Sequence, residues 1–417
     1  MRALCSLGLI CIWGCFCCSA AGAAWQAVVP EDAVKLPMLV AVDKSEQSAR
    51  FYGERATQLE RAKVPCSSGQ VLGDKQKEGD KKTPEGVYFV ESRKTQGLNY
   101  QLYGREAYTL NYPNPVDRLH NKTGHGIWIH GRGTPIVPRE TKGCVALNNN
   151  DIAELDTKVT PDTPVILANT IAPYFVVGSG ASTVKEKTRA WLRAWQDRSD
   201  AFLQFYDPEA YSKSMRESFA RFSNNKKRLF KRLPWIITWT DSIQVLEGPD
   251  YLVTWFNQYY RAKNLTVQGV RRLYWQKDSI GEYRIVGAEW KEKELGAEQA
   301  YLDAVAPSVH NFLGEWTQAW RNASVSKYDT FYAERAVQGH RKGRAAIRAH
   351  KRSLWQKKQP KQIVLSNVAM RMTRRGLEVS MNQYYGDTTG YADQGRKTLV
   401  LLPDGDSWVI VREEWRS

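Results

Sequence analysis

Cysteine is scarce beyond the first two dozen residues. Five of the seven cysteines lie between Cys5 and Cys18, and only Cys66 and Cys144 follow them. That count excludes a small fold stapled by disulfides. Histidine is also sparse, with six in 417 residues. Beyond the N-terminal cysteines no Cys-x-x-Cys or His-x-x-x-His pair supports zinc. His120, His125 and His130 come close together, but His125 and His130 are five residues apart and would face opposite sides of a continuous strand. No apolar run after the N-terminal segment is long enough to span a bilayer as a helix. The apolar fraction is ordinary, and nothing marks the chain as disordered.

What is present begins with a leader. Arg2 is a short positive region, Ala3 to Phe16 is apolar, and Ala20-Ala21-Gly22-Ala23-Ala24 offers small-residue cleavage sites. Residues 1–24 therefore read as a secretory signal peptide, and the mature chain is expected in the periplasm or cell envelope. Ile12-Trp13-Gly14-Cys15 faintly resembles a lipobox, against which the bulky Trp13 argues. An exported chain with two cysteines usually pairs them, so a Cys66–Cys144 disulfide stays open at this point.

The stretch from Gly124 to Asp151 holds the chemistry. An apolar run, Ile127-Trp128-Ile129, ends in His130, a Gly-rich turn follows, and Cys144 sits behind Gly143 in Thr141-Lys142-Gly143-Cys144. A thiolate attacks carbonyls well but needs a base to form at neutral pH. His130 is the candidate base, and the backbone N–H groups of Gly143 and Cys144 are candidates for an oxyanion hole. The plainer readings are a buried structural thiol, a disulfide and a strand-end histidine. A metal site ranks below all of these.

These residues resemble the signature of the L,D-transpeptidase family, in which a His-Gly pair precedes a Ser/Thr-x-Gly-Cys segment. His130-Gly131 and Thr141-Lys142-Gly143-Cys144 match it, and Thr83-Pro84-Glu85-Gly86 resembles the family's turn leading into a strand. The resemblance covers roughly residues 36–170. It implies a cysteine enzyme acting on peptidoglycan stem peptides, with a backbone carbonyl near Gly131 or Arg132 orienting the imidazole. His125, Trp128, Arg132, Arg139 and Lys142 become candidates to hold peptide carboxylates, arginine being suited to bidentate contact. No metal or organic cofactor is implied. Many members carry an arginine two residues after the cysteine, where this chain has Ala146. Similar cell-shape-determining L,D-carboxypeptidases also have a small residue there, so both an amine acceptor and water remain open. A third reading, from another class, is an inactive wall-binding scaffold.

For fold, Leu39–Val42, Gly86–Val90, Gly126–Ile129 and Pro164–Leu167 read as strands separated by turn signals, and Asn148 to Leu155 reads as a capped short helix. A mostly-β sandwich or closed sheet is expected over 36–170, followed by a linker at 171–184 around Val177-Gly178-Ser179-Gly180. Beyond it lies a repeat at an offset of 125: Trp191 and Trp195 recur as Trp316 and Trp320, Asn257–Tyr260 as Asn382–Tyr385, Arg271 as Arg396, and Glu289-Trp290 as Glu414-Trp415. Each copy, placed at 185–294 and 310–417, opens on a helix-period segment and ends in strands. The pair resembles nuclear-transport-factor-2-like α+β cones. The fold class is thus α+β multidomain, a mostly-β catalytic domain followed by two tandem cones.

The formal charge of +16 is concentrated in basic runs of the repeats, such as Lys226-Lys227-Arg228 and Arg341-Lys342-Gly343-Arg344. An exported chain rarely meets nucleic acid, so the expected anionic partners are wall components or other envelope molecules, and a merely solvated face is the plain alternative. His310, His340 and His350 read as surface residues.

Overall fold

The computed structural model describes residues 24–28, 38–53, 63–156, 158–172 and 179–417. The leader reading and the centre of the linker reading fall outside these residues.

The N-terminal region contributes β1 (Gln26–Val28), β2 (Met38–Asp43), β3 (Ser48–Gly53), β4 (Lys63–Ser67), β5 (Gly86–Lys94), β6 (Ala107–Leu110), β7 (Trp128–His130), β8 (Val145–Leu147), β9 (Pro164–Ala168) and β10 (Thr170–Ala172). Strands β2 to β9 close into a barrel in the order β2-β3-β4-β8-β7-β6-β5-β9. Pairs β7–β8 and β2–β9 are parallel. Inside the barrel lie Val40, Val42, Tyr88, Val90, Ile129, Val145 and Leu147. The alternate residues Leu39, Ala41, Val87, Phe89 and Ile166 point outward into a second core shared with the next domain. That covering explains why β2, β5 and β9 are apolar along both faces rather than alternating. Three short helices lie in the connections: α1 (Tyr100–Tyr103), α2 (Pro115–Leu119) and α3 (Asn149–Ala153). Asn114 caps α2 in a reciprocal box with Asp117.

Helix α4 (Ser179–Gln196) opens the first cone, followed by α5 (Pro208–Met215), α6 (Phe219–Arg232), β11 (Ile236–Thr240), β12 (Gln244–Glu247), β13 (Leu252–Ala262), β14 (Leu265–Lys277) and β15 (Tyr283–Glu292). The linker expected at 171–184 is corrected at both ends. Thr170–Ala172 pairs with β1, and from Ser179 the chain is already helical. Val184 and Thr188 are fully buried, so one apolar face carries the helix back through the small polar residues. The second cone comprises α7 (Ala297–Arg321), α8 (Val325–Thr330), β16 (Tyr332–Gln338), β17 (Arg341–Lys342), α9 (Arg344–Lys357), β18 (Pro360–Thr373), β19 (Gly376–Asp387), β20 (Ala392–Asp404) and β21 (Ser407–Arg416). Its expected start at 310 falls inside α7, whose buried Ala297, Tyr301 and Leu302 already pack on the first cone's Tyr259 and Ile237. Among the described residues no helix is long and apolar enough to cross a membrane.

Strand pairing also corrects one repeat equivalence. Arg271 lies opposite Trp290, whereas Trp415 lies opposite Lys397 and not Arg396. The turn between β19 and β20 is longer than that between β13 and β14, which shifts β20 by one residue, so Lys397 is the spatial counterpart of Arg271.

The barrel and the first cone meet through polar as well as apolar contacts. Arg272 pairs with Asp162 at 2.7 Å and Glu289 at 3.0 Å, over the Phe89 ring. Asn111 bonds Tyr274 and Glu289 across the same seam.

Candidate active site

His130 ends β7 and Cys144 immediately precedes β8. The parallel register sets Ile129 beside Val145 and His130 beside Ala146. Since Ile129 and Val145 point into the barrel, alternation turns Trp128, His130, Cys144 and Ala146 to its outer face. The thiol and the imidazole therefore share one face of adjacent strands although fourteen residues separate them.

The imidazole is locked. His130 is 4% exposed, and its Nδ1 lies 2.6 Å from the Gly131 carbonyl. A carbonyl only accepts, so Nδ1 carries the proton and Nε2 is left with its lone pair. Tyr103 packs edge-on against the ring at 5.1 Å and also contacts Trp128. Burial lowers the His130 pKa, with the Gly131 bond opposing and the Arg132 charge assisting. Burial likewise raises that of Cys144, against the backbone N–H of Trp128 and the charge of Lys75. Both directions favour a neutral thiol and neutral imidazole at rest, with the proton moving only on attack.

Glycine is required at two positions. Gly143 has φ +134°, and a Cβ there would stand 2.9 Å from the Lys82 carbonyl. A Cβ on Gly131 would meet Asn149 Oδ1 at 2.4 Å. Asn149 in turn donates to the Arg132 carbonyl at 2.8 Å, pinning the loop behind His130. Thr141 Oγ1 donates to the Cys144 carbonyl at 2.7 Å and accepts from Gly143 N at 3.1 Å. The Gly143 N–H, expected as an oxyanion donor, is thus already engaged, which leaves that of Cys144 as the remaining candidate.

Of the expected substrate-holding residues, Trp128 flanks His130. His125, Arg139 and Lys142 are exposed around the loop. Arg132 is tied to Glu140 at 2.9 Å and to Thr134. Cys66 is a free thiol inside the barrel, its pKa pushed up by burial to about 12. It faces the core while Cys144 faces out, so the two cannot be bridged and the disulfide reading is corrected. Tyr103 and Asn149 escape sequence reasoning, because nothing local marks them, and Thr83 is read there only as part of its turn, not as a partner of the Cys144 carbonyl. Among the described residues no His/Cys/Asp/Glu cluster could hold a metal.

A second concavity, of about 450 Å3, opens in the second cone between Trp320, Tyr385, Trp415 and α9. Lys397 and Gln338 satisfy the buried Glu413. Lys351, 7% exposed, has no acceptor among the described residues and lies over Trp320 at 4.7 Å. Gln383, 4% exposed, has an Oε1 with no donor. His350, expected at the surface, is half-buried and lines this cavity.

The model of the YkuD L,D-transpeptidase catalytic domain matches residues 37–167. That of the Cds6 C-terminal NTF2-like domain matches twice, at 183–289 and 308–414. The chain carries an L,D-transpeptidase-type catalytic domain followed by two NTF2-like domains of the Cds6 C-terminal family, which together span half of it. YafK of Escherichia coli (strain K12), named as a candidate L,D-transpeptidase, is 32% identical over 127 residues, 30% of this chain and 48% of YafK. The chain thus spans about half the length of the curated relatives it matches. Bd1075 of Bdellovibrio bacteriovorus is 25% identical with a TM-score of 0.50, covering 65% of this chain and 98% of its own. The helical cell shape determining protein Pgp2 of Campylobacter jejuni is 26% identical with a TM-score of 0.48, covering 60% and 91% respectively.

Proposed function

We propose that this chain is an exported cysteine acyl-transfer enzyme acting on peptidoglycan stem tetrapeptides, with L,D-transpeptidation as its reaction. The placement of Cys144 and His130 on one face of parallel neighbours, with Gly131 fixing the tautomer, carries the reading. Cys144 Sγ attacks the carbonyl of the L-centre of the diamino acid before the terminal D-alanine. His130 Nε2 takes the thiol proton and returns it to the leaving D-alanine amine. The Cys144 N–H faces the oxyanion role, and Arg139, Lys142 and His125 are the groups at hand for peptide carboxylates. An amine of a second peptide then resolves the thioester, forming a new amide and freeing the thiol. The leader sequence supports export. The second cone's cavity supports wall binding, since Lys351 and Gln383 suit a ligand bringing both a carboxylate and an N–H, as stem peptides do.

Ala146 favours a second reading, hydrolysis to a tripeptide. It is fully buried beside His130 and offers no cation to an incoming acceptor strand. Mass spectrometry of muropeptides incubated with the mature chain and with Cys144→Ala tests both. New dimers or exchange of the terminal D-alanine mean an amine acceptor, and loss of D-alanine alone means water. Turnover by the Cys144→Ala variant equal to wild type overturns Cys144 as the nucleophile, and no turnover by either despite binding overturns the enzyme and leaves the scaffold.

A further inference from the structure

We infer that Tyr251 of the first cone is a positioning residue for Cys144, acting through the turn Thr83–Gly86. The turn touches the nucleophile on one side. Thr83 Oγ1 accepts from Gly69 N at 2.8 Å and donates to the Cys144 carbonyl at 3.5 Å. The Lys82 carbonyl is the group that forbids a side chain on Gly143.

On its other side the turn meets the cone. The Tyr251 hydroxyl accepts from Val87 N at 2.8 Å and from Asn114 Nδ2 at 3.2 Å, with the Val87 carbonyl 3.3 Å away. A Cβ on Gly86 would stand 2.8 Å from this hydroxyl. The glycine of the Thr-Pro-x-Gly turn is therefore demanded here by a residue of another domain.

Buried charges tie the same elements together. Asn114 N donates to Asp117 at 3.0 Å, and Lys122 bridges Asp117 at 3.0 Å and Asp74 at 2.7 Å. Asp74 accepts from Glu85 N at 2.8 Å. Glu85 holds Lys44 at 2.9 Å, and Lys44 donates to the Thr83 carbonyl at 2.8 Å. Each member has its partners spoken for, so removing one loosens the turn rather than exposing a ready substitute. Tyr274 provides the control: its hydroxyl also crosses the seam, accepting from Asn111 while donating to Glu289 of its own cone, but among the described residues it makes no bond to the turn.

The test compares Tyr251→Phe and Tyr274→Phe in the full mature chain. Its first readout is the pH profile of Cys144 alkylation by iodoacetamide, which needs no substrate. With the turn loosened, water reaches the thiol, and the Tyr251→Phe midpoint falls below that of wild type. Its second readout is release of D-alanine from a stem tetrapeptide, which rests on the function proposed above. There kcat falls about tenfold with KM within about twofold, the pattern of a misplaced reacting atom. Tyr274→Phe leaves both readouts at wild-type values. The inference fails if Tyr251→Phe leaves the alkylation profile unmoved, or if Tyr274→Phe moves it equally. A shifted profile in a protein that releases no D-alanine sustains the positioning role and defeats the enzymatic reading instead.

Discussion

In the first cone Lys226 lies 4.2 Å over the Trp195 ring, and in the second Lys351 lies 4.7 Å over Trp320. Both cones also keep an indole–phenol bond, Trp191 to Tyr206 at 3.0 Å and Trp316 to Tyr332 at 3.2 Å. From that shared frame they diverge. The second cone sets Glu413 against Lys397, where the first has Ala288 and Arg271. The second forms β16 after its tyrosine, whereas the first forms α5, which packs on the barrel's α2 and on β15. The copy that docks onto the catalytic domain has a contact helix where its twin has a strand. The other, which among the described residues packs its core against its twin, keeps an open cavity with its charges partly paired. Duplication here separates a fastened module from one with an open cavity.

The largest effect that would sharpen this contrast comes from the two buried tryptophans. Trp191→Ala and Trp316→Ala should each cost roughly 3–5 kcal/mol of local stability. Only Trp191→Ala should disturb Cys144, because only the first cone supports the barrel. Thermal unfolding alongside alkylation kinetics checks this, and equal disturbance by both would erase the distinction.

Glu413 gives the next effect. Burial would raise its carboxyl, but Lys397 and Lys351 outweigh burial and hold it at about 2. Its folded pKa lies below the ordinary value, so its contribution is present above about pH 4.3 and is lost as pH falls towards 2. Glu413→Gln should remove that acid-sensitive step from the second cone and leave lysines unpaired, lowering its melting temperature at pH 7. Hydrogen exchange resolved by domain reads it, and a first cone that responds equally would contradict the assignment.

The smallest effect concerns the lysines themselves. Burial lowers Lys226 to about 7, with Arg271 adding repulsion, and lowers Lys351 to about 8. The unfolded chain then binds more protons than the folded one above these values, so each cone gains stability as pH rises, the first from about 7 and the second from about 8. Lys226→Met and Lys351→Met should flatten the respective rise between pH 7 and 9.5, seen as a melting temperature that no longer climbs.

Much of this is legible in sequence because it is local or periodic. The His130-Gly131 and Thr141–Cys144 segments carry their chemistry in residue type and order. The repeat shows itself through tryptophans one turn apart. The helix after Asn148 is read from its Asn-Asp start, although the Asn148 side chain makes no cap bond and reaches Asp151 instead. The hidden part is non-local. Gly86 reads as a turn glycine, yet the atom that excludes a side chain there belongs to Tyr251, 165 residues away. Arg271 and Arg396 align by counting, and only the strand register shows that Lys397 takes the place. The small polar residues at 179–184 read as linker because the buried Val184 and Thr188 that make them a helix gain their worth from packing.

The sequence by itself determined the candidate nucleophile and base, the closed apolar strands, and the two copies of one module, since these rest on side-chain chemistry and on periods of a few residues. Only the tertiary structure decided which face Cys144 and His130 share, that Gly143 N–H is engaged, that Cys66 and Cys144 cannot meet, and which cone fastens and which stays open. Those outcomes depend on strand register and on contacts between distant segments, where a shift of one residue turns a side chain from core to surface.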